Sequence, residues 1–423
     1  MSPRHSVPIV LSFCLLVLGG VIVAGPLTPP AGPVAETDLV RTEADARIPL
    51  TQATAPGDAS TVFIIAQPGS YYLTGNVSLS AGEVAIEVDS SDVTIDLNGY
   101  AIVGNSPLRG GGPQSTGILS GAILENLRIR NGSFRNLDGD AISLDRAENS
   151  VIEDLRIFNV RDGVRIGPLA QVRRVMVSGC DDGIEIVGDG VVADCVVRNA
   201  DTAFESVGDV AFMRCVATSS QGGFLGDGSF TECLADACRS YGFAGSGTYT
   251  DCRAVGASEG SGFVVTGPST LTACVAQGAS DDGFNARDAV AVVFDRCVAE
   301  GCGDDGFQVG RDSVVTGCIS TGNAYGFFGG SSADGGRIDA NTASGNAIDG
   351  FLFVAPQGVL LVRNNAIDNG NDNYSIGSFN KAGIVYTQGG TLPETVSPWG
   401  NFSTQTVLRD SAPTGDGKGG ADR

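Results

Sequence analysis

The chain has 423 residues, with 61 glycines and one tryptophan, and 26 Lys+Arg face 48 Asp+Glu for a net charge of -22. That length holds two or three ordinary domains or one long repeat structure. The acidic balance argues against nucleic acid or an anionic membrane as partner, because a polyanion would be repelled; it suits a soluble extracellular protein able to hold divalent cations.

The chain opens like an export signal over residues 1–25. Arg4 supplies a positive start, an apolar run extends from Val7 to Ala24, and the small residues Ala24 and Gly25 admit a signal peptidase. An uncleaved anchor is the other reading, since the run nears bilayer-spanning length. The expected location is therefore secreted or cell envelope, with no membrane contact in the mature chain unless this segment stays uncleaved. Cys14 follows Phe13 rather than a small residue, so no lipid-attachment box is read. Cleavage would remove the only histidine, His5. Residues 26–60 read as a Pro/Gly-rich linker and a charged N-terminal cap region.

From residue 139 a repeat takes over. Gly163, Gly183, Ala203 and Gly223 stand 20 apart, and Gly242, Gly262, Gly283, Gly306, Gly326 and Gly350 continue at steps of 19 to 24. Self-similarity at such a period marks a solenoid. The unit carries no 3.6-residue apolar stripe; it has short Val, Ile, Phe and Thr runs broken by Gly, Asp, Asn and Ser, which read as strands and bends. After the glycine stand Phe204, Phe224, Phe243, Phe263, Phe284, Phe307, Phe327 and Phe351, preceded in earlier coils by Ile142, Val164 and Ile184. A second ladder is Cys195, Cys215, Cys233, Cys252, Cys274, Cys297 and Cys318, continued by Asn341 and Asn364. A third is Cys180, Cys238, Cys302, Asn323, Asn346 and Asn369. One small residue per coil is what a packed stack requires, and no C-x-x-C metal cluster occurs, so the cysteines read as structural. Their redox state stays open, since ladder neighbours would sit near disulfide distance.

From Asn373 the period lengthens into a C-terminal cap containing Trp399, and residues 404–423 read as a disordered polar tail. The fold expected is all-β: a single-stranded right-handed parallel β-helix, a solenoid of about eleven or twelve coils with N- and C-terminal caps over residues 61–403.

These ladders, with Pro68–Asn76, Ile95–Gly104 and Pro398–Ser403, resemble right-handed parallel β-helix repeat proteins of the pectin-lyase-like superfamily. They are most similar to an exported bacterial subgroup of undefined activity. The resemblance implies the architecture. The wider superfamily holds pectate lyases, polygalacturonases, alginate epimerases and carbohydrate-binding β-helices. "DDGF" at Asp281 and Asp304 is similar to the aspartate motifs of polygalacturonases, but the histidine and Arg-x-Lys element of those enzymes are missing from the mature chain.

Candidate catalytic residues are Asp282 and Asp305, which take equivalent places on adjacent coils, or Asp162 and Asp182 with Arg165. Carboxylates one coil apart fall in the range glycosidases use. Asp281, Asp282, Asp304 and Asp305 form a candidate Ca²⁺ site, though no cofactor is required. Against both stands the turn chemistry of Asp-Gly, whose side chain bonds local backbone at tight bends. The reading is a non-catalytic, carbohydrate-associated extracellular or cell-surface protein, with an extracellular polysaccharide as partner. The alternatives are a polysaccharide lyase or glycoside hydrolase acting on an acidic polysaccharide, and a structural or adhesive solenoid. Whether the chain is an enzyme, and its oligomeric state, stay open.

Overall fold

The computed structural model describes residues 47–105, 114–331, 333–354, 358–387 and 396–404. The export signal, most of the linker and the polar tail beyond residue 404 lie outside these residues. Every strand pairing among the described residues is parallel. No helix there is long and apolar enough to cross a membrane.

Each turn of chain lays one short strand into each of three sheets. Sheet A carries the phenylalanine ladder and grows in register from Thr61–Ile65 to Tyr374–Ile376, about 15 rungs. Sheet B starts with Arg47–Leu50, inside the stretch read as linker and cap, paired to Gly69–Leu73. Sheet C holds strands such as Ile319–Thr321 and ends with Val385–Thr387, which is joined to Asn365–Ile367 through Asn401–Ser403. The chain has more coils than the eleven or twelve expected. Three extra rungs precede residue 139, where Phe63, Ile86 and Ile118 fill the ladder slot, the first two without a glycine before them. One more follows, where Tyr374 stacks on Phe351 at 5.0 Å.

The tube is held by aromatic stacking. Successive rings from Phe204 to Phe351 lie 4.7–4.9 Å apart and nearly parallel, as strand spacing demands. A second stack, Phe212, Phe230 and Tyr249, comes from sheet B and meets the first edge-on. Both stacks are fully buried.

One backbone device explains both cysteine ladders. The corner from sheet B to sheet C turns on a residue with positive φ: Asp194, Arg214, Glu232, Asp251, Ala273, Arg296, Gly317, Ala340 and Arg363. The next residue is Cys195, Cys215, and so on through Asn364. The corner from sheet C to sheet A repeats the device. Gly179, Ala237, Gly301, Gly322, Gly345 and Asp368 have positive φ, and the third ladder follows each. A left-handed residue reverses the chain and drops its successor inward. That successor meets carbonyls the bend leaves exposed. Cysteine donates its thiol, as from Cys195 to the Ala193 carbonyl at 3.3 Å and Cys252 to that of Phe230 at 3.3 Å. Asparagine does the same and also bonds its neighbour, Asn341 to Asn364 at 3.1 Å and Asn346 to Asn369 at 2.9 Å.

All ten cysteines among the described residues are free and buried. Burial pushes the thiol of Cys180 up to about 12 and that of Cys238 to about 11, away from the reactive thiolate. Because all ten are buried, a thiol reagent applied to native protein should modify none of them at pH 8, and all ten once denaturant is added. Rapid native labelling would mean the corners open.

Candidate functional site

The Asp-Asp doublets sit where sheet C turns into sheet A. Asp282 and Asp305 are each 3% exposed and face inward along the corner. The Asp305 amide donates to Asp282 Oδ1 at 3.0 Å, and Asn285 Nδ2 donates to Oδ2 at 2.8 Å. Asp305 receives Gln308 Nε2 at 3.1 Å, one rung on. Asp349 repeats the pattern, accepting the Asp372 amide at 3.0 Å. A carboxylate that accepts the next rung's amide is a fastener for the bend. The rung-to-rung arrangement anticipated for Asp282 and Asp305 is present, but both side chains are turned to the protein rather than to an open cleft. Burial, with Asp281 second, pushes Asp282 up to about 7. Asp281, Asp282 and Asp304 each offer an oxygen within 4.8 Å of the others. They would supply three of the six or more oxygens that Ca²⁺ takes. Asp305, the fourth candidate, is not in that group.

The earlier candidates lie on the same corner. Asp162 and Asp182 are in register, as are Arg165 and Glu185. Arg165 contacts Glu185 at 3.1 Å. The guanidinium that serves the aspartate ladder is instead Arg161, 2.6 Å from Asp140 and 3.3 Å from Asp162. Sequence reading missed it because it stands one place before the ladder. Burial and then Asp140 raise Asp162 to about 6; burial and then Asp162 raise Asp182 to about 6.

Beside these carboxyls runs a groove of about 710 Å³. It extends along the solenoid from the rung of Ile118 to that of Phe263, seven rung spacings, roughly 34 Å at about 4.8 Å each. Gln114, Arg161, Asp181, Asp201, Gln221 and Arg239 line it. Corner length makes it. From the left-handed residue to the ladder slot there are five residues at Asn159, Gly179, Asn199 and Ser219. There are six at Asn136 and Ala237 and seven at Gly256. Four tight corners thus lie sunken between longer ones. Through two of them the strands run unbroken, as Ala170–Val187 and Val196–Val207.

Residues 261–397 match a family described as "right handed beta helix region". With parallel rungs on both sides of that stretch, the architecture is decided. The chain is a right-handed parallel β-helix. No curated protein matches this β-helix. Among solved structures it is similar to the A-module of a mannuronan C-5 epimerase of Azotobacter vinelandii, at 14% identity over 81% of this chain and 92% of that one, TM-score 0.36. A catalytic domain of an α-1,3-glucanase, solved with nigerose, is 12% identical over 79% of this chain and 62% of its own, TM-score 0.33. The Dettilon tailspike protein is 11% identical over 77% and 60%, TM-score 0.28.

Proposed function

We propose that the β-helix is an exported, non-catalytic protein that binds an extended polysaccharide along the corner groove. The observation that carries this is the groove's form: long, straight, parallel to the tube and periodic at one rung. A small molecule would use a fraction of it, whereas a polymer meets the same polar corner groups at each step. Hydrogen-bonding side chains such as Gln114, Gln221, Ser219 and Ser220 line it, the type of group that reads sugar hydroxyls.

A second reading, glycoside hydrolysis, rests on Asp162 and Asp182. Two carboxyls on adjacent rungs, both raised towards neutrality beside a groove, are the kind of pair that divides acid and base roles. Both readings are separated by one assay. Native gels cast with soluble polysaccharides should retard the protein, and prolonged incubation should release no new reducing or unsaturated ends. New reducing ends that vanish in Asp162→Asn would establish hydrolysis. No retardation by any polymer would leave only a structural solenoid.

A further inference from the structure

The outer face of sheet B carries a feature apart from the corner groove. On three successive rungs its strands read Ser229-Phe230-Thr231, Thr248-Tyr249-Thr250 and Thr270-Leu271-Thr272. The middle residue of each is buried, so the flanking hydroxyls face outward in two ranks of three. Pairing is parallel and in register: Thr248 lies between Ser229 and Thr270, and Thr250 between Thr231 and Thr272. The buried rings beneath set the rung spacing, Phe212, Phe230 and Tyr249 following one another at 5.1 and 4.7 Å. Along each strand the two ranks stand roughly 6.6 Å apart, two residues at about 3.3 Å each.

Two observations separate this face from an ordinary threonine-rich strand surface. None of the six hydroxyls is hydrogen-bonded to another described residue, whereas Ser246 and Thr266 at the neighbouring corner bond each other at 3.2 Å. Charge is also missing, in a chain of net charge -22. The two preceding rungs place Val191, Ala193, Ala211 and Met213 on the same face, and the first charged residues to either side are Arg173 and Asp295.

We propose that this face binds ice. Ice is a neutral lattice whose surface oxygens repeat near the rung spacing along one axis and at a longer interval along the other. Threonine is branched at Cβ and restricted at χ1, so each holds its hydroxyl and methyl in fixed places. The hydroxyl both donates and accepts, as lattice water does. The methyl releases ordered water when it meets a solid surface. A charged side chain would turn nearby water towards itself and break the match, and the three rungs carry none. The ring stack below keeps the array rigid, so little ordering entropy is lost on contact.

Microscopy of ice in a frozen sucrose solution tests this. The purified protein should arrest the grain coarsening that continues in buffer alone, and single crystals grown in its presence should be faceted. The double variant Thr248→Lys/Thr250→Lys should lose both effects. Thr218→Lys, on the outer face of sheet C between Arg198 and Asp236, should keep them. Thermal unfolding equal to that of the parent separates lost lattice contact from lost fold; should the double variant unfold early, Thr270→Lys alone should show the same loss. Rounded crystals and coarsening at the buffer rate with the parent protein would overturn the proposal, as would a double variant as active as the parent. Retention on powdered crystalline cellulose or chitin with no effect on ice would overturn it as well, and would assign the face to a solid glycan instead.

Discussion

Replacing Phe263 with alanine should lower the free energy of unfolding by about 3–5 kcal/mol, the range for a large buried ring truncated to a methyl. Phe263 is 1% exposed and lies between Phe243 at 4.7 Å and Phe284 at 4.8 Å, with Tyr249 edge-on at 6.0 Å. Alanine would remove the transfer energy of the ring and leave a void that a parallel ladder closes poorly, since strand spacing fixes its neighbours. Val207, 58% exposed on the same rung system, serves as control; its alanine variant should stay within about 0.5 kcal/mol of the parent. Urea unfolding with both variants measures the difference. A cost near that of Val207 for Phe263→Ala would mean the rings do not carry the tube.

The second large effect is a pH dependence centred on Asp282. Its carboxyl rises from the ordinary 3.8 to about 7, chiefly through burial. Protonation is thus favoured in the folded state. The stability it contributes is complete below 3.8, declines as pH rises, and is gone once pH has passed about 7. That interval corresponds to about 4 kcal/mol as an upper figure. Asp162 and Asp182, raised to about 6, act in the same direction. Glu153 and Asp339 act in the opposite one. Burial works against the charge of Glu153, but Arg128 and Arg173 overcome it; Arg363 is the main partner of Asp339. Their contribution is lost as pH falls below the ordinary carboxylate range. Thermal unfolding should therefore show a maximum near pH 5 and a fall towards pH 8. Asp282→Asn keeps the acceptor for the Asp305 amide, gives up the one for Asn285 Nδ2, which is also lost when the carboxyl is protonated on Oδ2, and removes the charge. It should stabilise the protein at pH 8 by up to about 4 kcal/mol and change little at pH 4. A variant destabilised equally at both values would show that the ionised carboxylate is needed, as a bound cation would require.

The ladders were legible in the sequence because stacking copies one residue type at one interval, and Phe204 to Phe351 repeat it eight times. The first rungs were not. Phe63, Ile86 and Ile118 lie 23 and 32 residues apart, the second interval unlike the later steps of 19 to 24. The doublet at Asp282 and Asp305 could be located but not interpreted, since its direction depends on which corner it turns. The groove was hidden for a subtler reason. It arises from corners one or two residues shorter than their neighbours, and that difference shows only once Asn159, Gly179, Asn199 and Ser219 are known to be the left-handed residues. Arg161 and Arg239, which the sequence reading did not single out, both line that recess.

The short corner also makes groove length heritable in whole steps. A duplication of the twenty residues that carry one such bend would insert a further recessed rung and lengthen the channel by about 4.8 Å, with no repacking of the rings beneath it. A deletion would shorten it by the same amount. Copy number alone can therefore set the length of the recess, leaving every existing contact in place.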